Sequence, residues 1–124
     1  MLGPPDIVEG PTDTIEIDDN DVTLVCYAIA SPQHNITWMF QRTNTNNATM
    51  IINTSSPDPN MKYLIDDNIN STSFGTLTIT NLQSSDRGVY TCIAANTCGA
   101  VSAEAMVNVH GKNVIIVFAN FIVY

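Results

Sequence analysis

The run Asp86-Arg87-Gly88-Val89-Tyr90-Thr91-Cys92, taken with Cys26 and the lone tryptophan Trp38, constrains this chain most. Each landmark sits in a short stretch of period-two hydrophobicity, the pattern of a β-strand with one buried face. Val22, Leu24, Cys26 and Ala28 share one face of the first stretch, with Thr23, Val25 and Tyr27 on the other. Ile36, Trp38 and Phe40 share the inward face of the second, and Tyr90, Cys92 and Ala94 that of the third. Short alternating strands separated by Asn, Asp, Gly, Ser and Pro predict an all-β sandwich of two antiparallel sheets.

The remaining strands follow by the same parity. Ile7 to Pro11 reads as strand A, with Pro11 at an edge or sheet switch because it donates no ladder bond. Thr14–Ile17 is its second half, and strand B runs from about Val22 to Ala28. Strand C spans Asn35 to Gln41, Met50 to Ile52 is a short C′, and Met61 to Ile65 is strand D. Strand E is Thr76 to Thr80, with Leu77 and Ile79 inward and three threonines outward. Strand F runs from Gly88 to Ala95 and strand G from about Val101 to Val109. With only 13% charged residues and no sustained 3.6-residue period, surface helices are not expected.

The Asp-x-Gly-x-Tyr-x-Cys run, with Cys26 and Trp38 upstream, resembles the signature of the immunoglobulin superfamily. The resemblance covers residues 4–110 and is specific at Cys26, Trp38, Leu77, Asp86, Gly88, Tyr90 and Cys92. It implies an immunoglobulin-like β-sandwich with an inter-sheet disulfide between Cys26 and Cys92, Trp38 packed beside it, and Tyr90 pinning the corner before strand F. Pro4-Pro5, Asn81-Leu82, Ala95-Asn96-x-x-Gly99 and Ala105-x-Val107-x-Val109 resemble the intermediate set. The cysteine spacing approaches the variable type, and the extra residues lie between Arg42 and Asn60. Asn20-Asp21 stands where the family usually has a glycine, and both types tolerate left-handed backbone. In related domains the aspartate at Asp86 often pairs with a basic residue opening strand D, here Lys62. The alternative is a turn-capping carboxylate without an ion pair.

The implied bridge joins residues 66 apart and is worth about 4 kcal/mol in the chain-entropy account. Cys98 is left over, as a free thiol or a link to another chain. Pairing Cys92 with Cys98 would orphan Cys26 and undo the Cys-Trp-Cys logic.

Composition narrows the chemistry. The formal charge is −8, and the fixed cations are Arg42, Lys62, Arg87 and Lys112. Nucleic acid and other polyanions need clustered cations, so neither is an expected partner. Two histidines, His34 and His110, lie far apart, with no nucleophile elbow and no phosphate loop, so no enzyme is expected. Asp18 to Asp21 lacks the spacing of a calcium loop and reads as a solvated turn. No cofactor and no metal are implied.

What remains is recognition. Met39, Val89, Ile93 and Met106 share the outer parity of the C–F–G sheet, an expected contact face for a protein partner or a second copy. The B–E sheet shows Thr23, Thr76, Thr78 and Thr80 and reads as polar. Asn35, Asn47, Asn53 and Asn70 open Asn-x-Ser/Thr glycan acceptors. Asn96-Thr97-Cys98 is a weak Asn-x-Cys variant. With the cysteines, these sites place the chain outside the cell or on its surface. The expected function is an extracellular recognition module of an adhesion molecule or receptor. The alternative is a structural spacer in an intracellular filament or muscle-type protein.

Residues 1–3 read as a start or expression remnant, 4–110 as the domain, and 111–124 as an apolar tail. No leader segment follows Met1, so a signal was removed or the chain is a piece of something longer. The tail is too short to cross a bilayer, which takes about twenty residues. It is the cut-off start of a membrane anchor, misassigned sequence, or one more strand.

Overall fold

Alternating apolar residues draw ten strands into two layers around one core. The computed structural model describes residues 2–43, 49–52, 62–111, 116–118 and 121–123. The strands are β1 (Gly3–Glu9), β2 (Thr14–Ile17), β3 (Val22–Leu24), β4 (Tyr27–Ser31), β5 (Asn35–Arg42), β6 (Met50–Ile51), β7 (Tyr63–Ile65), β8 (Leu77–Ile79), β9 (Gly88–Asn96) and β10 (Gly99–His110). One layer is a sheet ordered β2-β10-β9-β5-β6, in which β5, β9 and β10 are strands C, F and G. The other is built from β3-β8-β7 and the pair β1-β4.

The first strand changes layers. β1 runs antiparallel to β4, whereas β2 runs parallel to β10, with Thr14 opposite Val107. Pro11 lies in the crossing, where its missing N–H removes no ladder bond. Strand A begins at Gly3, earlier than Ile7. Pro4 and Pro5 are accommodated because the register between Gly3 and Asp6 is irregular.

Strand B differs from the continuous Val22 to Ala28 segment expected. It breaks at Val25-Cys26, because β3 pairs with β8 and β4 pairs with β1. The parity survives the break, and Val22, Leu24, Cys26 and Ala28 are all buried.

Between the layers, Trp38, Phe40, Leu77, Ile79, Tyr90 and Val107 have at most 1% of their surface exposed. Full burial of such side chains contributes about 1.5–3 kcal/mol each. The inner rows are in register: Trp38 lies opposite Cys92, and Phe40 opposite Tyr90. In the tail, β11 (Ile116–Phe118) and β12 (Phe121–Val123) form a separate antiparallel hairpin with Val117 opposite Ile122. Among the described residues no helix is long and apolar enough to cross a membrane.

Candidate functional site

The scaffold behind the site is pinned at both sheets. A disulfide joins Cys26 to Cys92. Trp38 Nε1 donates to the Gly75 carbonyl at 2.9 Å, fully buried. Gly75 sits at φ +92°, and a Cβ there would stand 2.6 Å from the Cys26 carbonyl oxygen, so only glycine fits. The Phe40 and Tyr90 rings stack 4.5 Å apart at 18°. Tyr90 Oη donates to the Asp86 carbonyl at 2.7 Å. Burial, with the charges of Tyr63 and Asp86 nearby, raises the Tyr90 pKa far above its ordinary value. Lys62 Nζ meets Asp86 Oδ2 at 2.6 Å, and the same oxygen accepts from Gln83 N at 2.7 Å.

On this scaffold the outer face of the five-stranded sheet carries an apolar stripe. Val89 lies opposite Met106 across β9 and β10, and Met39 opposite Ile51 across β5 and β6. Ile93 lies opposite Thr37. Met39, Val89 and Ile93 are half-buried, shaded by their neighbours, while Met106 is exposed. Two members were not recognised in the sequence. Ile51 is 66% exposed beside Met39, and Ile15 is 64% exposed on β2, opposite Asn108 of β10. Ile15 joins the face only because β2 pairs with a strand over ninety residues away.

The B–E layer is not uniformly polar. Thr23 and Thr78 hydroxyls do pair across β3 and β8 at 3.0 Å. Yet Val8, Tyr27, Ile29 and Leu64 are exposed on this layer. Outer parity marks them as outward but does not foresee how little their neighbours shade them.

At the loop end, Asn35 and Asn70 are exposed, as glycan attachment requires. Asn70 follows Asp66, whose carboxylate accepts from Ser73 Oγ at 2.5 Å, Ser71 Oγ at 2.7 Å and Asn68 N at 3.0 Å. Those bonds hold Asp66 below its usual pKa. Asn47 and Asn53 lie outside the described residues. Asn96 is poorly suited to carry a glycan. Its Nδ2 donates to the Gly3 and Pro32 carbonyls at 2.8 and 2.9 Å, and its Oδ1 accepts from Cys98 N. Cys98 is exposed and unpaired on the β9–β10 turn. His34 is buried with no partner for either ring nitrogen, and desolvation lowers its pKa. Among the described residues no three His, Cys, Asp or Glu side chains gather as metal ligands.

Comparison with known proteins completes the picture. Residues 4–96 match the family model described as "Immunoglobulin domain". The chain is similar to "Protein sidekick" of Drosophila melanogaster, 32% identical over 99 residues, which cover 80% of this chain and 4% of that protein. It is similar to the structure "Tandem Ig repeats of Dlar", with a TM-score of 0.68 and 26% identity over 90% of this chain and 51% of that one. The structure "I-band fragment I67-I69 from titin" shares the fold, with a TM-score of 0.70 and 22% identity, covering 94% of this chain and 36% of that one. The chain spans 4 to 7% of the length of the curated relatives it matches. Its paired cysteines, buried indole, tyrosine corner and matched family model agree: the chain belongs to the immunoglobulin domain family.

Proposed function

We propose that this chain is an extracellular recognition module that works by contact alone, binding a protein partner or a second copy through the outer face of β6-β5-β9-β10-β2. The observation carrying this reading is the stripe in which Ile51 flanks Met39, Met106 flanks Val89, and Ile15 and Ile93 extend the patch. Apolar side chains gathered on one sheet face, here among polar Gln41, Thr91 and Glu104, mark interaction sites in soluble domains. A flat β-sheet face pre-organises it, so little ordering entropy opposes binding. The working unit is residues 4–110. Asn35 and Asn70 carry N-linked glycans, and with the disulfide they fit an oxidising compartment.

The test is charge insertion. Ile93→Glu, with Met106→Glu as the exposed counterpart less prone to unfolding, should abolish self-association in sedimentation velocity or partner binding. Unchanged association of folded variants would remove this face from consideration. The intracellular spacer reading draws on the titin-like fold. A non-reducing intact mass separates the two. A two-dalton deficit plus glycan mass supports the extracellular module, and a fully reduced, unmodified chain supports the spacer.

A further inference from the structure

The outer face of β1 and β4, on the layer opposite the apolar stripe, is open. Tyr27 and Ile29 stand two apart on β4, so their side chains point to the same side, and they are 48% and 52% exposed. Strand pairing sets a carboxylate beside each, Asp6 opposite Ile29 and Glu9 opposite Tyr27. Between Ile7 and Glu9, β1 advances two residues while β4 advances one. This bulge leaves Val8 and Glu9 exposed in succession, where an unbroken strand would turn one of them inward. At the other end of the face, Leu2, Pro4, Asp6 and Ile29 line an open groove of about 380 Å³.

The charge on this face is one-sided. Neither Asp6 nor Glu9 has a hydrogen-bond or ion-pair partner among the described residues. The fixed cations Arg42, Lys62, Arg87 and Lys112 all lie off β1 and β4. Lys62 is held by Asp86, and Arg42 donates to the Ser85 carbonyl. A second copy in a symmetric contact would set carboxylate against carboxylate, and an anionic bilayer would be repelled. A cationic protein segment meets the opposite situation. Its Lys or Arg heads reach Asp6 and Glu9, their apolar stems lie along Ile29 and Val8, and one head stacks on the Tyr27 ring. The glycan acceptors Asn35, Asn47, Asn53 and Asn70 all lie off these two strands.

We infer that the β1–β4 face is a second docking surface, which takes an extended basic segment of a partner protein carrying two cations two residues apart and an apolar anchor before them. Ile29 and Tyr27 lie about 7 Å apart along β4, the spacing of alternate side chains on an extended partner. The anchor fills the groove beside Leu2 and Pro4. This surface does not depend on the stripe, because the two faces belong to different layers.

The probe is the synthetic peptide Leu-Thr-Arg-Thr-Arg, titrated into the isotope-labelled, disulfide-bonded full chain and followed by NMR. Leu-Thr-Glu-Thr-Glu reverses the charge. Leu-Arg-Arg-Thr-Thr keeps the composition but puts the two cations on opposite sides of a strand. The first peptide should shift the amides of Val8, Tyr27 and Ile29 and bind more tightly than either control. The folded Asp6→Asn, Glu9→Gln double variant should bind it about tenfold more weakly, and raised salt should act in the same direction. Ile93→Glu should bind it as the native chain does. Equal binding of the three peptides, no shifts in the millimolar range, or full binding by the double variant would overturn the inference. Binding lost in Ile93→Glu yet kept in the double variant would move the peptide to the stripe, overturning this inference and sparing that reading. Self-association abolished by Tyr27→Glu would give the face to a second copy and overturn it as well.

Discussion

Lys62 Nζ sits 2.6 Å from Asp86 Oδ2 and also donates to the Thr80 and Asn81 carbonyls at 3.0 Å each, tying the start of β7 to the corner ahead of β9. The carboxylate side is nearly buried at 7% exposure, the ammonium side is at 25%. A partly buried pair of this kind matters mainly through what its removal strands. Asp86→Ala leaves Lys62 and the Gln83 N–H without their oxygen and should cost about 3 kcal/mol. Lys62→Met, whose replacement keeps the apolar stem, should cost roughly half as much. Urea titration checks both, as a lower midpoint at unchanged slope.

Gly75 should be as unforgiving as any core position. Gly75→Ala places a methyl against the Cys26 carbonyl at a positive φ, so the turn must shift and carry the Trp38 acceptor with it. The expected loss is about 2 kcal/mol or more, from strain plus a stranded indole N–H. A red-shifted Trp38 emission maximum in the folded variant would report the moved ring.

His34 gives the domain an acid-sensitive term. Desolvation lowers its pKa in the fold below the ordinary 6.5, so the unfolded chain takes up the proton first as pH falls. Stability from this residue is therefore complete above about pH 6.5 and declines as pH drops toward the folded value. Asp66 and Asp67 face it across a small cleft, and Phe74 packs on it from the loop before β8. Asp66, with its lowered pKa, acts in a separate window below about pH 3.8. Denaturation midpoints between pH 7 and pH 5 should fall for the native chain and stay flatter for His34→Phe. Equal slopes would dismiss His34 as the sensor.

Removing Gly111 to Tyr124 should leave the sandwich folded. β10 already ends its pairing with β2 at His110, and among the described residues β11 pairs with β12 alone. An isolated two-stranded hairpin contributes little stability in water. Thermal unfolding of the shortened chain should remain a single cooperative step. A broad or missing transition would mean that the tail belongs to the core.

Inward parity was the most legible property of this sequence. Trp38, Tyr90, Leu77 and Val107 announce their burial because the side-chain period of a strand is two, whatever the strand pairs with. Pairing itself is less visible. Ile15 reads as an ordinary strand residue until β2 is found alongside β10, a non-local choice made by the whole sandwich. Exposure is harder still. Met39 and Ile93 are partly shaded, whereas Tyr27 and Ile29 on the supposedly polar layer are about half exposed. Parity separates inside from outside, but cross-strand neighbours decide how much of an outward side chain meets water. His34 gave no signal either, because its burial depends on Phe74 folding over it from forty residues away.

The three bonds of Asn96 make one amide a junction for the entry strand, the segment containing Pro32 and the β9–β10 turn. Strand pairing already ties Gly3 to Ser31 and Gly99 to Asn96, and the amide adds cross-links between those two ladders. Whatever approaches that end of the molecule meets a preformed landing, and a substitution as small as Asn96→Ala would leave the two ladders meeting there without their shared rivet.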